Sequence, residues 1–173
     1  MNYIDCYNQY KNKIFSYFYY NLGKDRELAE DLTSETFLKG YDKIDSYDDT
    51  FSFSTWIFKI ARNKLIDHYR KDTSDVSING DENLDIEEFI KYEGDFTRKI
   101  DTEFDMKQVY MALDKIPETY KDYIVMKYLN EFSTKEISNI TGKSEANIRK
   151  IISRGLERLI NILQPNTPEY EKL

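Results

Sequence analysis

The carboxylates Glu27, Asp31 and Glu35 recur at four-residue spacing, a pattern that could serve acid–base or metal chemistry if other groups supported it. Support is lacking. The chain has one histidine, His68, and one cysteine, Cys6, so its own residues cannot assemble a Cys/His nucleophile pair, a zinc cluster or a disulfide framework. A metal-dependent or hydrolytic enzyme is thereby disfavoured; no catalytic residue, metal ligand or cofactor is expected. Like charges along one helix are ordinarily a solvated face. Flanked by apolar residues such as Leu32, the same stripe suits docking onto a basic helix of another protein. Cys6, near the start of a helix, reads as packing.

Two further sets are built from cations. In residues 51–71 aromatic and basic side chains interleave, and from residue 59 to residue 71 five basic residues stand against one acid. Apolar and aromatic surface receives unstacked bases while Lys and Arg follow phosphates, so this mixture suits melted single strands. Trp56, Phe58 and Tyr69 also fit an ordinary core, whereas Phe51 and Phe53, beside Ser52 in a loop, are harder to place there. The second set is Arg149, Lys150, Ser153, Arg154 and Arg158, opposite an apolar stripe of Ile148, Ile152, Leu156 and Leu159. With a short helix before it and a turn holding Gly142, this helix has the form of a helix-turn-helix whose second member enters the DNA major groove, residues near its start meeting base edges. A solvated charged face would share the pattern.

The elements that must carry these sets are helical. Turn dipeptides between alternating β-branched runs are missing, and apolar residues recur at three- and four-residue spacing, which predicts an all-α fold. In the first half, Ile14, Phe18 and Leu22 form one stripe, Leu28, Ala29, Leu32 and Thr36 a second, and Trp56, Ile60, Ala61, Leu65 and His68 a third. Gly23 reads as the cap between the first two helices and residues 46–50 as the break before the third. In the second half, Met106, Val109, Tyr110 and Leu113 share a face. Pro117 opens the next helix at its first turn, and Tyr120, Ile124 and Tyr128 continue inward. Ser133 and Glu136 make a capping box, and Ser144 caps the last helix, which runs to about Leu163 before Pro165 and Pro168.

The net charge of −7 over 173 residues conflicts with nucleic-acid binding until it is located. Residues 1–72 hold 11 basic and 12 acidic side chains, residues 73–104 hold 3 and 10, and residues 105–173 hold 11 and 10. The excess lies in the middle, which reads as an acidic, flexible linker with a weakly signalled helix at 86–92. The expected plan is therefore two small helical domains, at 1–72 and 105–164, with a linker at 73–104 and a tail at 165–173. No apolar run of about 18 residues and no signal-peptide pattern occurs, so a cytoplasmic protein without membrane insertion is expected.

In order and spacing these segments resemble the sigma-70 family of bacterial RNA polymerase sigma factors, in its smallest, extracytoplasmic-function (ECF) subgroup, which retains the domains called region 2 and region 4. Residues 29–37 resemble the family's core-binding helix, residues 53–63 its minus-ten segment, and residues 136–154 its minus-35 helix-turn-helix; the resemblance covers residues 10–71 and 106–160. It implies a three- to four-helix region 2 and a four-helix region 4. Asp31, Leu32 and Glu35, with Glu27 on the same stripe, would grip the clamp helices of the polymerase largest subunit. The loop at 46–55, including Phe51, Ser52 and Phe53 and followed by Trp56, would capture a flipped base of the melted strand, with Lys59, Arg62, Asn63 and Arg70 along the DNA backbone. Arg149, Lys150, Ser153 and Arg154, flanked by Ser144 and Arg158, would meet double-stranded minus-35 DNA. The linker would thread a positively charged channel near the polymerase active site, and an anti-sigma protein is expected to hold the factor inactive. Two departures stand out: Ile151 where the family often has Arg, and Ser34 where it often has Gln. A stand-alone helix-turn-helix regulator is the second reading, and it leaves residues 51–71 unexplained.

Overall fold

A computed structural model describes residues 2–72 and 105–164; the linker at 73–104, the helix considered at 86–92 and the tail at 165–173 lie outside the described residues. Within these bounds the chain is all-α, with seven α-helices and no strand among the described residues.

Helix α1 (Tyr3–Asn21) begins where the Asn2 side chain accepts from the Ile4 amide, and buries Cys6, Ile14, Tyr17 and Phe18. It stops because Gly23 and Lys24 both take positive φ, 64° and 68°. Glycine adopts that backbone freely; Lys24 is held there by its amide donating to the Tyr19 carbonyl at 2.8 Å. Helix α2 (Arg26–Asp42) starts on Asp25, whose side chain accepts from the Leu28 amide at 3.0 Å. Its end packs closely: a Cβ on Gly40 would lie 2.6 Å from the Tyr3 hydroxyl and 2.8 Å from Ile57 Cδ1. After a 3-10 turn at Ile44–Ser46, helix α3 (Phe53–Asp72) buries Ile57, Phe58, Ile60, Ala61 and Leu65. These three helices and the 3-10 turn make the first unit.

The second unit has four helices, as its apolar spacing predicts. They are α4 (Met106–Leu113), α5 (Glu118–Ile124), α6 (Thr134–Thr141) and α7 (Glu145–Leu163). Pro117 stands one position earlier than expected, as the N-cap of α5 rather than inside its first turn. Helix α5 does not stop at Ile124 but widens into a π-helical turn, Val125–Leu129, that periodicity alone does not foresee. The capping box at Ser133 and Glu136 forms in both directions, and Gly142 ends α6 at φ 74°. Ser144 then accepts from the Asn147 amide to start α7. Ile148, Ile152, Leu156 and Leu159 are buried, as their spacing requires.

The two units share one buried apolar cluster. Helix α3 packs on α6, and α1 packs on α5 and its π-turn. Among the described residues no helix is long and apolar enough to cross a membrane.

Candidate polymerase and nucleic-acid surfaces

Three surfaces follow from this frame. The first is the outer face of α2. Its inner face buries Ala29, Leu32, Thr33, Thr36 and Phe37, and the two threonine hydroxyls donate to the Ala29 and Leu32 carbonyls at 2.6 Å, so burial leaves neither unsatisfied. Glu27, Asp31 and Glu35 are consequently exposed in a row. Glu35 is paired with Lys64 of α3 at 2.7 Å, while Leu32, expected to grip a partner, is a core residue. Sequence reasoning missed the neighbouring surface: Ile4, Tyr7, Leu38 and Tyr41 are exposed and line an apolar groove between α1 and α2. Its signal was available, since Leu38 and Tyr41 follow Ser34 at helical spacing off the buried stripe.

The second surface is the segment entering α3. Tyr47 donates to the Phe51 carbonyl at 2.8 Å, Asp48 accepts from the Thr50 amide at 2.9 Å, and Ser52 Oγ accepts from the Thr55 amide at 3.2 Å. The loop is thus closed on itself, with Ser52 supporting the start of the helix. Phe51 stands out at 48% exposure. Phe53 does not: it is buried at the first position of α3 among Tyr3, Tyr10, Tyr47 and Trp56, with ring centroids 5.4–6.0 Å away. The loop reading of Phe53 is therefore corrected, because the helix begins one turn earlier than its polar neighbours suggest. Trp56 is half-buried.

Helical geometry then divides the basic residues of α3. Lys59, Asn63 and Arg70 fall on one face and are exposed. Arg62 falls on the adjacent face, with Phe58, Leu65 and Tyr69, and is only 9% exposed. Its Nε donates to Asp122 of α5 at 2.8 Å, and Tyr17 donates to the other Asp122 oxygen at 2.7 Å. Burial pushes the Tyr17 phenol well above its ordinary value; Asp122 adds to that and Arg62 opposes it. Burial pulls the Arg62 guanidinium down, but Asp122, Tyr123 and Tyr17 outweigh it and leave it raised. Burial likewise lifts Tyr123 to about 12. Asp122 carried no sequence signal, since beside Glu118 and Lys121 it reads as one more polar residue of a short helix, with no period to betray a distant partner.

The third surface is the helix-turn-helix, α6 and α7. Its turn is tied by Ser138 donating to the Lys143 carbonyl at 2.7 Å and Thr141 donating to the Ile137 carbonyl at 2.8 Å. Ser144 is exposed at the start of α7, Arg149 is paired with Glu145 at 3.0 Å, Arg154 is half-exposed, and the Arg158 guanidinium lies 5.0 Å from the Tyr120 ring centre. Two members of the expected outward face are buried instead: Ser153, and Lys150 at 5% exposure, whose Nζ meets no hydrogen-bond partner among the described residues. The buried face of α7 is broader than its four-residue spacing suggests, because Ile151 is buried beside Lys150 and Ser153.

An exposed acidic helix, a basic helix headed by an exposed aromatic loop, and a helix-turn-helix define a class of all-helical proteins that bind both a protein partner and nucleic acid. The family descriptions that match are Sigma-70 region 2 over residues 6–74 and Sigma-70, region 4 over residues 106–159. The ECF RNA polymerase sigma factor SigM of Bacillus subtilis is 31% identical over 159 residues, covering 90% of this chain and 91% of the relative. SigW of the same organism is 33% identical over 160 residues, covering 90% and 85%. The fold is shared with the sigma factor RpoE of Bartonella quintana, solved in complex with the anti-sigma factor NepR, at a TM-score of 0.66 and 19% identity over 94% of this chain and 97% of that one. The chain belongs to the sigma-70 family of RNA polymerase sigma factors, in its ECF group, and serves promoter-specific transcription initiation by RNA polymerase.

Proposed function

We propose that the two units divide the work of initiation. Residues 1–72 dock core polymerase through Glu27, Asp31 and Glu35 and hold melted minus-ten DNA through Phe51, Lys59, Asn63 and Arg70. Residues 105–164 read minus-35 DNA through Ser144, Arg149, Arg154 and Arg158. The observation that carries this reading is the exposed line of Lys59, Asn63 and Arg70 on α3, beside an aromatic side chain presented by a self-closed loop. Cations on one helix face follow a phosphate backbone, and an exposed ring offers a stacking surface to an unpaired base. The protein forms no bond itself: it positions polymerase and stabilises a bubble, and it does so in the cytoplasm, where polymerase and promoter are. An anti-sigma protein is the expected regulator, a reading supported by the complex of the Bartonella relative.

The test is gel filtration with core RNA polymerase, wild type against the Asp31→Lys/Glu35→Lys double variant. Wild type is expected to co-migrate and the charge-reversed protein to stay free, because both carboxylates are exposed and the Glu35–Lys64 pair lost with Glu35 is a surface pair worth little to the fold. A charge-reversed protein that co-migrates with core polymerase as wild type does refutes the docking face on α2. For the regulator, affinity capture from unstressed cells is expected to recover one further protein besides polymerase, and capture of polymerase alone removes it.

A further inference from the structure

We propose that Asn147 is a base-reading residue of the helix-turn-helix, recognising an adenine in the major groove of minus-35 DNA. The inference rests on α7 being the minus-35 helix.

Asn147 stands apart in the hydrogen bonding of the chain. Buried polar atoms of a folded protein are normally paired, so an unpaired one needs a reason. Among the described residues the buried side-chain atoms without a partner are Asn21 Oδ1, Asn130 Oδ1, Asn147 Oδ1 and Lys150 Nζ. Asn21 and Asn130 are held by the fold all the same, because their amide nitrogens donate to the Tyr17 and Lys13 carbonyls at 2.9 and 3.2 Å. Asn147 is not held. Its backbone amide donates to Ser144 Oγ at 3.3 Å, but its side chain makes no hydrogen bond among the described residues. Ser144 already caps the helix, and asparagine is a poorer helix former than alanine, so neither local role accounts for the residue.

Its place on α7 supplies the reason. Asn147 lies in the first turn, half-buried between Ala146, which is exposed, and Ile148, which is core. Asn147, Lys150 and Arg154 stand three and four residues apart and share one face of the helix. Arg149 and Arg158 have partners inside the fold, Glu145 and the Tyr120 ring, whereas Asn147 has none to give up. A recognition helix presents its first turns to base edges. A carboxamide carries an acceptor and a donor side by side, which complements the N6 amino group and N7 of adenine. At the same edge guanine offers two acceptors, cytosine a donor alone, and thymine an acceptor beside a methyl, so none of them satisfies both ends of Asn147. Lys150 has donors only and cannot bond the adenine amino group. Rotation about the soft χ2 torsion of asparagine turns the amide plane toward the groove.

The test uses holoenzyme reconstituted from the full-length chain and core polymerase, with repeated selection from a pool of random-sequence DNA duplexes followed by sequencing. Wild type is expected to enrich adenine at one position of its upstream element. Asn147→Ala is expected to lose that preference about tenfold, the scale of one bidentate base contact, and to keep the bases selected at the other positions. Asn147→Asp, which only accepts, is expected to shift the same position toward cytosine, whose N4 amino group donates. That switch separates reading from support, because a merely structural role alters affinity without altering which base is preferred. An unchanged base profile in Asn147→Ala, or a loss spread evenly over the element, overturns the inference and leaves the minus-35 reading of α7 in place. A wild type that selects no upstream element removes that reading, and the role of Asn147 with it.

Discussion

Phe58 of α3 and Phe132, in the loop before α6, meet edge to face with ring centroids 4.6 Å apart. Both are buried, so apolar core surface joins the two units alongside the buried Arg62–Asp122 pair. Phe132→Ala is expected to lower stability by about 3 kcal/mol, the usual scale for truncating a buried phenylalanine. Urea denaturation followed by helicity measures it. A midpoint unchanged from wild type would mean that the units do not rely on this contact.

Gly155 tests the packing of α7 on α5. An added Cβ would lie 2.8 Å from Ile124 Cδ1 and 3.1 Å from Tyr120 Cβ. Alanine favours a helix interior over glycine by about 1 kcal/mol, and the Ile124 methyl can rotate away, but the Tyr120 Cβ is fixed to its backbone. Overpacking costs about 1–3 kcal/mol, so the clash wins and Gly155→Ala is expected to melt at a lower temperature. Thermal unfolding at or above the wild-type midpoint would show that the helices have room to give.

Much of this frame is legible in the residues themselves. Ser133, Glu136, Gly142 and Ser144 announce the helix-turn-helix because caps are local chemistry, and the heptad-like rows of isoleucine and leucine announce what faces inward. What spacing cannot disclose is which of two adjacent faces of one helix meets a second unit. Lys59 and Arg62 are equivalent as sequence, yet one is exposed and the other is locked to Asp122, an acid remote along the chain. The π-turn after Ile124 is invisible for a related reason: it changes no residue type, only the register of the hydrogen bonds.

The buried phenols make the fold sensitive to alkali. Burial raises Tyr17 well above its ordinary value and lifts Tyr123 to about 12. A group whose folded value lies above the unfolded one contributes stability that is complete below the unfolded value, near 10, and is lost as pH climbs toward the folded value. Urea midpoints are therefore expected to hold from pH 7 to 9 and fall between 10 and 12. Tyr123→Phe is expected to fall less steeply over that range, and an identical slope in the variant would assign the loss to other groups.

Lys150 sets stability against readout. Its Nζ is buried with no hydrogen-bond partner among the described residues, and an unsatisfied buried donor costs about 1–3 kcal/mol, more for a charge. Lys150→Met keeps the apolar stem and removes the ammonium, so the free protein is expected to gain on the order of 1 kcal/mol in urea denaturation. If the ammonium turns out to DNA in the polymerase complex, the same variant weakens promoter binding at every salt concentration and flattens the dependence of log affinity on log salt by about one. Filter binding of the reconstituted holoenzyme over a salt series separates the cases. A more stable variant with an unaltered salt slope takes Lys150 off the minus-35 surface and leaves it to Ser144, Arg149, Arg154 and Arg158.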